Sequence, residues 1–157
     1  MSKTEIKDYS TRIAQASSGE LVVITHQIIL DCINEARYEK EQDNKVAFIK
    51  KIKKGQKALR SLTDSLNVEY NISKELMALY IYVNKEFVEA YVKYTVQPLI
   101  SIEKVINNLL VGWEKACKAE KSEPLVDNAQ QVYAGLTYGK GTLNETIMDN
   151  DNRGFRA

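Results

Sequence analysis

Between Gly19 and Ala119 apolar residues return at every third or fourth position, the spacing of one face of an α-helix. Phe48, Ile52, Gly55, Leu59, Leu62 and Leu66 make one stripe, and Leu76, Tyr80, Val83, Phe87, Ala90 and Tyr94 a second. Leu99, Ile102, Ile106, Leu109, Trp113 and Ala116 make a third. Each predicts a helix with one buried face. The segment from about Gly19 to Glu41 differs, because Leu21, Val22, Val23, Ile24, Ile28, Ile29, Leu30, Cys32 and Ile33 cover more than one face. Such a helix is expected at the centre, touching several others. A short helix from Thr4 to about Gln15 is expected to lie against this set.

Helix ends carry their own chemistry. Ser17 followed by Glu20 is a capping box, in which the hydroxyl accepts from a free backbone N–H and the carboxylate reaches back. Asp43 or Asn44 is suited to cap the next helix and Asn71 or Ser73 the one after, while Pro98 fits only a first helical turn. Connections this short favour antiparallel neighbours. The predicted fold is therefore all-α, an antiparallel up-down four-helix bundle with left-handed packing and a short N-terminal helical segment. Past Lys121 the periodicity fades and Gly, Asn and Asp become frequent, which predicts a mostly irregular C-terminal tail. Two regions result: a bundle domain over residues 1–121 and an extension over 122–157.

A chain of 157 residues with 44% apolar content supports one domain with a real core. Lys plus Arg (22) nearly cancels Asp plus Glu (21), so no net field draws it to nucleic acid or an anionic membrane. The first residues have no apolar run, and the greasiest segment, Leu21 to Leu30, is interrupted by Thr25-His26-Gln27. The expectation is a cytoplasmic protein with no membrane insertion. One histidine, His26, cannot supply the paired Glu-x-x-His motifs of a di-metal bundle, and it reads as a helix-interface or surface residue. Cys32 and Cys117 lack clustered partners for zinc, and their positions in such a bundle set them too far apart for a disulfide. Gly135 to Thr142 imitates a phosphate loop, but its glycines are too close together and Gly141 stands where a hydroxyl residue is required. Lys50, Lys51, Lys53, Lys54, Lys57 and Arg60, interleaved with Ile49, Ile52 and Leu59, read as the solvated side of one helix. No catalytic residue, cofactor or metal is expected, and the chain is not read as an enzyme.

The corner from Ser65 to Val83, closing one helix and opening the next, also carries a family likeness. Ser65-Leu66-Asn67 through Ile72-Ser73, then Leu79-Tyr80-Ile81-Tyr82-Val83, Phe87 and Ala90, resemble the central motifs of the FliS family of flagellar secretion chaperones. Ala16-Ser17-Ser18-Gly19-Glu20-Leu21 is similar to that family's opening, with Ser18 in place of a proline, and Tyr9, Ile13 and Trp113 fall at matching places. The likeness covers roughly Tyr9 to Ala119. Thr25-His26-Gln27-Ile28 departs from it, as does the length of the tail.

The resemblance implies a cytosolic export chaperone that binds the C-terminal segment of flagellin, prevents premature polymerisation and delivers the client to the flagellar export gate. An amphipathic client segment folding into apolar grooves between helices suits that task. The expected client-binding residues are Tyr9, Ile13, Ile72, Leu76, Leu79, Tyr82 and Val83, with Tyr9 and Ile13 on a movable segment covering part of the groove. The alternative is a structural four-helix adaptor that assembles with itself, for instance as a homodimer, or with another helical protein. In the tail, Val132, Tyr133, Leu136, Tyr138 and Leu143 form an apolar island, which reads either as part of a flexible extension or as a segment docking back over the client groove as a tethered competitor.

Overall fold

The computed structural model describes residues 3–122, and the regular structure among them is entirely helical. The chain forms α1 (Lys3–Gln15), α2 (Ser18–Glu41), α3 (Lys45–Asp64), α4 (Asn71–Lys93) and α5 (Gln97–Ser122). At the start of α2 the capping box forms in both directions: Ser17 N–H donates to Glu20 Oε2 at 2.9 Å and Glu20 N–H to Ser17 Oγ at 3.3 Å. Asn44 caps α3, its Oδ1 accepting from Ala47 N–H. Pro98 is the second residue of α5, where its missing N–H costs no helical bond.

The start of α4 departs from the sequence expectation. Neither Asn71 nor Ser73 caps it; the cap position is Tyr70, with no side-chain hydrogen bond. The preceding turn is closed instead by Asn67, whose Oδ1 accepts from Glu69 N–H at 3.0 Å. Ser73 lies three residues before Leu76 on the inward stripe and is fully buried, its hydroxyl without a hydrogen-bond partner among the described residues.

All three stripes face inward. Phe48, Ile52, Leu59 and Leu62 of α3, Leu76, Tyr80, Val83, Phe87 and Ala90 of α4, and Leu99, Ile102, Ile106 and Trp113 of α5 join Val22, Ile29, Ile33 and Ala36 of α2 in one core. Leu66, Tyr94 and Leu109 pack on its margin, half-buried. The central role of α2 is plain: it packs against α1, α3 and α5, and of residues 18–40 only Asn34 and Tyr38 are exposed. Gly55 permits the close approach of α3, since a Cβ there would stand 3.0 Å from Phe87 Cζ and 3.4 Å from Cys32 Cβ.

Cross-helix pairs fix the register. Lys121 of α5 reaches Glu20 at the start of α2, while Glu103 near the start of α5 meets Arg37 near the end of α2 at 2.6 Å, so these helices run in opposite senses. Lys51–Glu35 joins α3 to α2 and Gln56–Asn84 joins α3 to α4. At the end holding the 42–44 and 94–96 connections, Asp43 and Tyr94 both adopt left-handed backbone, φ 52° and 50°. That conformation is uncommon for a tyrosine. Its side chain compensates: the ring meets Phe48 edge-on at 5.2 Å, Lys40 Nζ sits 3.4 Å above it, and the hydroxyl donates to Asp43 Oδ1 at 3.1 Å.

Candidate functional site

Side chains with chemical potential are engaged in structure. His26 is fully buried, with Nδ1 2.8 Å from the Val22 carbonyl and Nε2 3.2 Å from the Tyr80 hydroxyl. A carbonyl can only accept, so Nδ1 carries the proton and Nε2 accepts from Tyr80. Burial pushes the histidine pKa down to about 4, only partly countered by the bond to Val22, so the ring is neutral at pH 7. Cys32 is buried, and desolvation raises its thiol to about 11, an unreactive state. No disulfide joins it to Cys117. Among the described residues no cluster of three or more His, Cys, Asp or Glu gathers as for a metal, and no helix is long and apolar enough to cross a membrane.

The lysine run lies along the outside of α3. Lys50, Lys53, Lys54, Lys57 and Arg60 are exposed, Lys51 is paired with Glu35 at 3.1 Å, and Arg60 reaches Asp64. The loop from Gly135 to Thr142 and the island Val132, Tyr133, Leu136, Tyr138 and Leu143 lie outside the described residues.

Surface capable of binding concentrates on α4. Ile72, Leu79 and Tyr82, separated by seven and three residues, share one flank of this helix and are 46%, 38% and 40% exposed. Leu76 and Val83, expected beside them, are instead 7% and 0% exposed. They belong to the stripe of Tyr80 and Phe87 and offer a partner no surface in this form. The opposite flank of α4, bearing Met77, Ile81 and Asn84, borders an open groove of about 900 Å³ against Gln56, Lys57, Leu59, Arg60, Thr63 and Asp64 of α3, with Tyr80 at its floor. Sequence reasoning missed this groove, although Met77 and Ile81 standing off the core stripe were a signal for it.

Tyr9 and Ile13 are placed elsewhere. Their helix α1 lies along α2, where the Tyr9 hydroxyl donates to Asp31 at 2.6 Å and Arg12 to Gln27 at 2.8 Å. Burial and the Asp31 carboxylate drive the Tyr9 pKa well above that of a free phenol. A recess beside it is shared by Arg12, Gln15, Val23 and Gln27 with Glu114 of α5. So α1 rides on α2 at the α5 side and does not cover the α3–α4 groove. The structure gathers Ile72, Leu79 and Tyr82 on one face but leaves Tyr9 and the 44%-exposed Ile13 on another helix pair.

Comparison with known proteins places this bundle. The chain is 24% identical over 108 residues to the flagellar secretion chaperone FliS of Bacillus subtilis (strain 168), an alignment spanning 69% of this chain and 81% of that protein. The family profile of the flagellar protein FliS matches residues 1–120, from α1 to within two residues of the end of α5. The chain therefore belongs to the FliS family.

Proposed function

We propose that this protein is a flagellar export chaperone that binds the C-terminal segment of flagellin in the cytoplasm, prevents its premature polymerisation and hands it to the export apparatus. The observation that carries the reading is the apolar row Ile72, Leu79 and Tyr82 on the outer flank of α4, in a member of this family. Side chains seven and three residues apart on one helix match the period at which an amphipathic client helix presents its own apolar face. A client that folds on docking spends part of its interaction energy on ordering, which keeps the complex releasable at the export gate. No residue need perform chemistry for this cycle. The B. subtilis relative, named as a flagellar secretion chaperone, supports the same reading.

The test is titration calorimetry of the purified protein with monomeric flagellin, intact and lacking its C-terminal segment. Saturable one-to-one binding to the intact client alone is expected. Equal binding of both forms, or none, would sink the proposal, and self-association blocked by Tyr82→Asp would point to the adaptor reading.

A further inference from the structure

The groove between α3 and α4 is open, its α4 wall is apolar at Met77 and Ile81, and its α3 rim carries Lys57 and Arg60 beside Asp64, which pairs with Arg60 at 3.8 Å. It is distinct from the flank of Ile72, Leu79 and Tyr82, since Met77 and Ile81 project from the other side of α4. An apolar trough of this kind calls for an occupant. The path of the chain names one.

The helix α5 ends at Ser122, and its last turn is tied to the start of α2 by Lys121 and Glu20. The start of α2 in turn shares a recess with the end of α3, Ser18, Leu21 and Val22 facing Ser61, Leu62 and Ser65. The chain therefore leaves the bundle at the end where α3 stops and α4 begins, which is the end of the groove marked by Thr63, Asp64 and Met77. Neighbouring helix axes about 10 Å apart put diagonal helices about 14 Å apart. Ten residues, from Ser122 to Val132, span up to about 33 Å when extended, enough to cross that diagonal and enter the groove with slack.

The segment that arrives has matching chemistry. Glu123 and Asp127 come first, opposite in sign to Lys57, and residues 128–139 then carry no charge while supplying Val132, Tyr133, Leu136 and Tyr138. A ligand on so short a tether acts at an effective concentration in the millimolar range, so modest intrinsic affinity suffices to fill the site. We infer that the segment Val132–Tyr138 of the chain's own C-terminal extension docks in the α3–α4 groove, against Met77 and Ile81. This inference does not rest on the flagellin reading, because it concerns a different flank of α4 and needs no client.

The sequence offers a direct probe: Met77 is one of only three methionines and stands in the groove wall. The full chain, with Cys117→Ser to restrict labelling and Gly139→Cys to carry a nitroxide, is prepared with carbon-13 methyl methionine. The expected result is loss of the Met77 methyl signal in the paramagnetic sample, its return on reduction of the nitroxide, and its retention in the paramagnetic sample when Leu136→Asp is added. Unchanged Met77 intensity overturns the proposal, and so does broadening that persists with Leu136→Asp, since a tether alone would then explain the proximity. Mixing nitroxide-bearing chains without carbon-13 and carbon-13 chains without nitroxide decides between copies. Broadening there means that a second molecule supplies the segment, which also overturns docking within one chain.

Discussion

Protonation of His26 is expected to destabilise this bundle from within. Its two ring nitrogens are matched in the neutral form, Nδ1 donating to Val22 and Nε2 accepting from Tyr80, and burial lowers its pKa to about 4 from an ordinary 6.5. Because the folded pKa is the lower one, the unfolded chain takes up the proton first. Stability is therefore complete above about pH 6.5, falls as the pH drops below it, and stops falling from this cause near pH 4. The full difference of 2.5 pKa units corresponds to about 3 kcal/mol, of which about 2 kcal/mol is lost between pH 7 and pH 5. His26 is the sole histidine, so no other side chain has an ordinary pKa in that interval. Urea titrations at half-unit steps of pH, followed by far-ultraviolet circular dichroism, should show the midpoint falling by about 1 M from pH 7 to pH 5. His26→Gln keeps a polar group there but does not titrate, so its midpoint should be nearly level over the same range. A level profile in the parent protein, or an equal slope in His26→Gln, would refute the reasoning.

Core truncation should be graded by burial: Leu62→Ala is expected to cost about 2 to 5 kcal/mol in the same urea assay, and Leu109→Ala, at the half-buried margin of α5, clearly less. Two glycines should respond with opposite sign. Gly55→Val drives methyls into Phe87 and Cys32 and should destabilise by about 1 to 3 kcal/mol or more, whereas Gly112→Ala meets nothing within 4 Å and should stabilise by about 0.5 to 1 kcal/mol. For the client, Leu79→Asp and Tyr82→Asp should each weaken flagellin binding at least about tenfold with the unfolding midpoint unchanged, as for anchors of an apolar interface. Binding should also survive a rise from about 0.1 to about 0.5 M salt; dissociation over that range would shift attention to the α3 lysines.

What was legible in the sequence was local. A capping box needs only Ser17 and Glu20, and a stripe needs only its own spacing, so helix extents and inward faces could be read from neighbours in the chain. The stripes even contained the correction to the candidate site. Leu76 and Val83 share a face with Tyr80 and in this form point into the core, a placement that treating the whole corner as one patch concealed. The seat of α1 was not legible, because it depends on polar pairs such as Tyr9–Asp31 and Arg12–Gln27 that link residues 22 and 15 positions apart without any periodic mark. The cap of α4 was misread for a related reason: Asn67, four residues before Asn71, already satisfies the turn, and Ser73 is taken inward with its stripe.

The tyrosine at the end of α4 makes the two poles of the bundle mechanically unequal. At its pole the connection 42–44 is three residues long, and Tyr94 clamps it to the neighbouring connection through Asp43, Lys40 and Phe48. At the far pole α3 and α4 are joined by the longer run 65–70, and the ion pair there, Lys121 with Glu20, is exposed on its lysine side. Thermal opening of such a molecule is expected to begin where α3 hands over to α4, with the Tyr94 pole holding as the hinge. A partner arriving at that far pole would find helices that yield to it, while the hinged pole keeps their order and alignment.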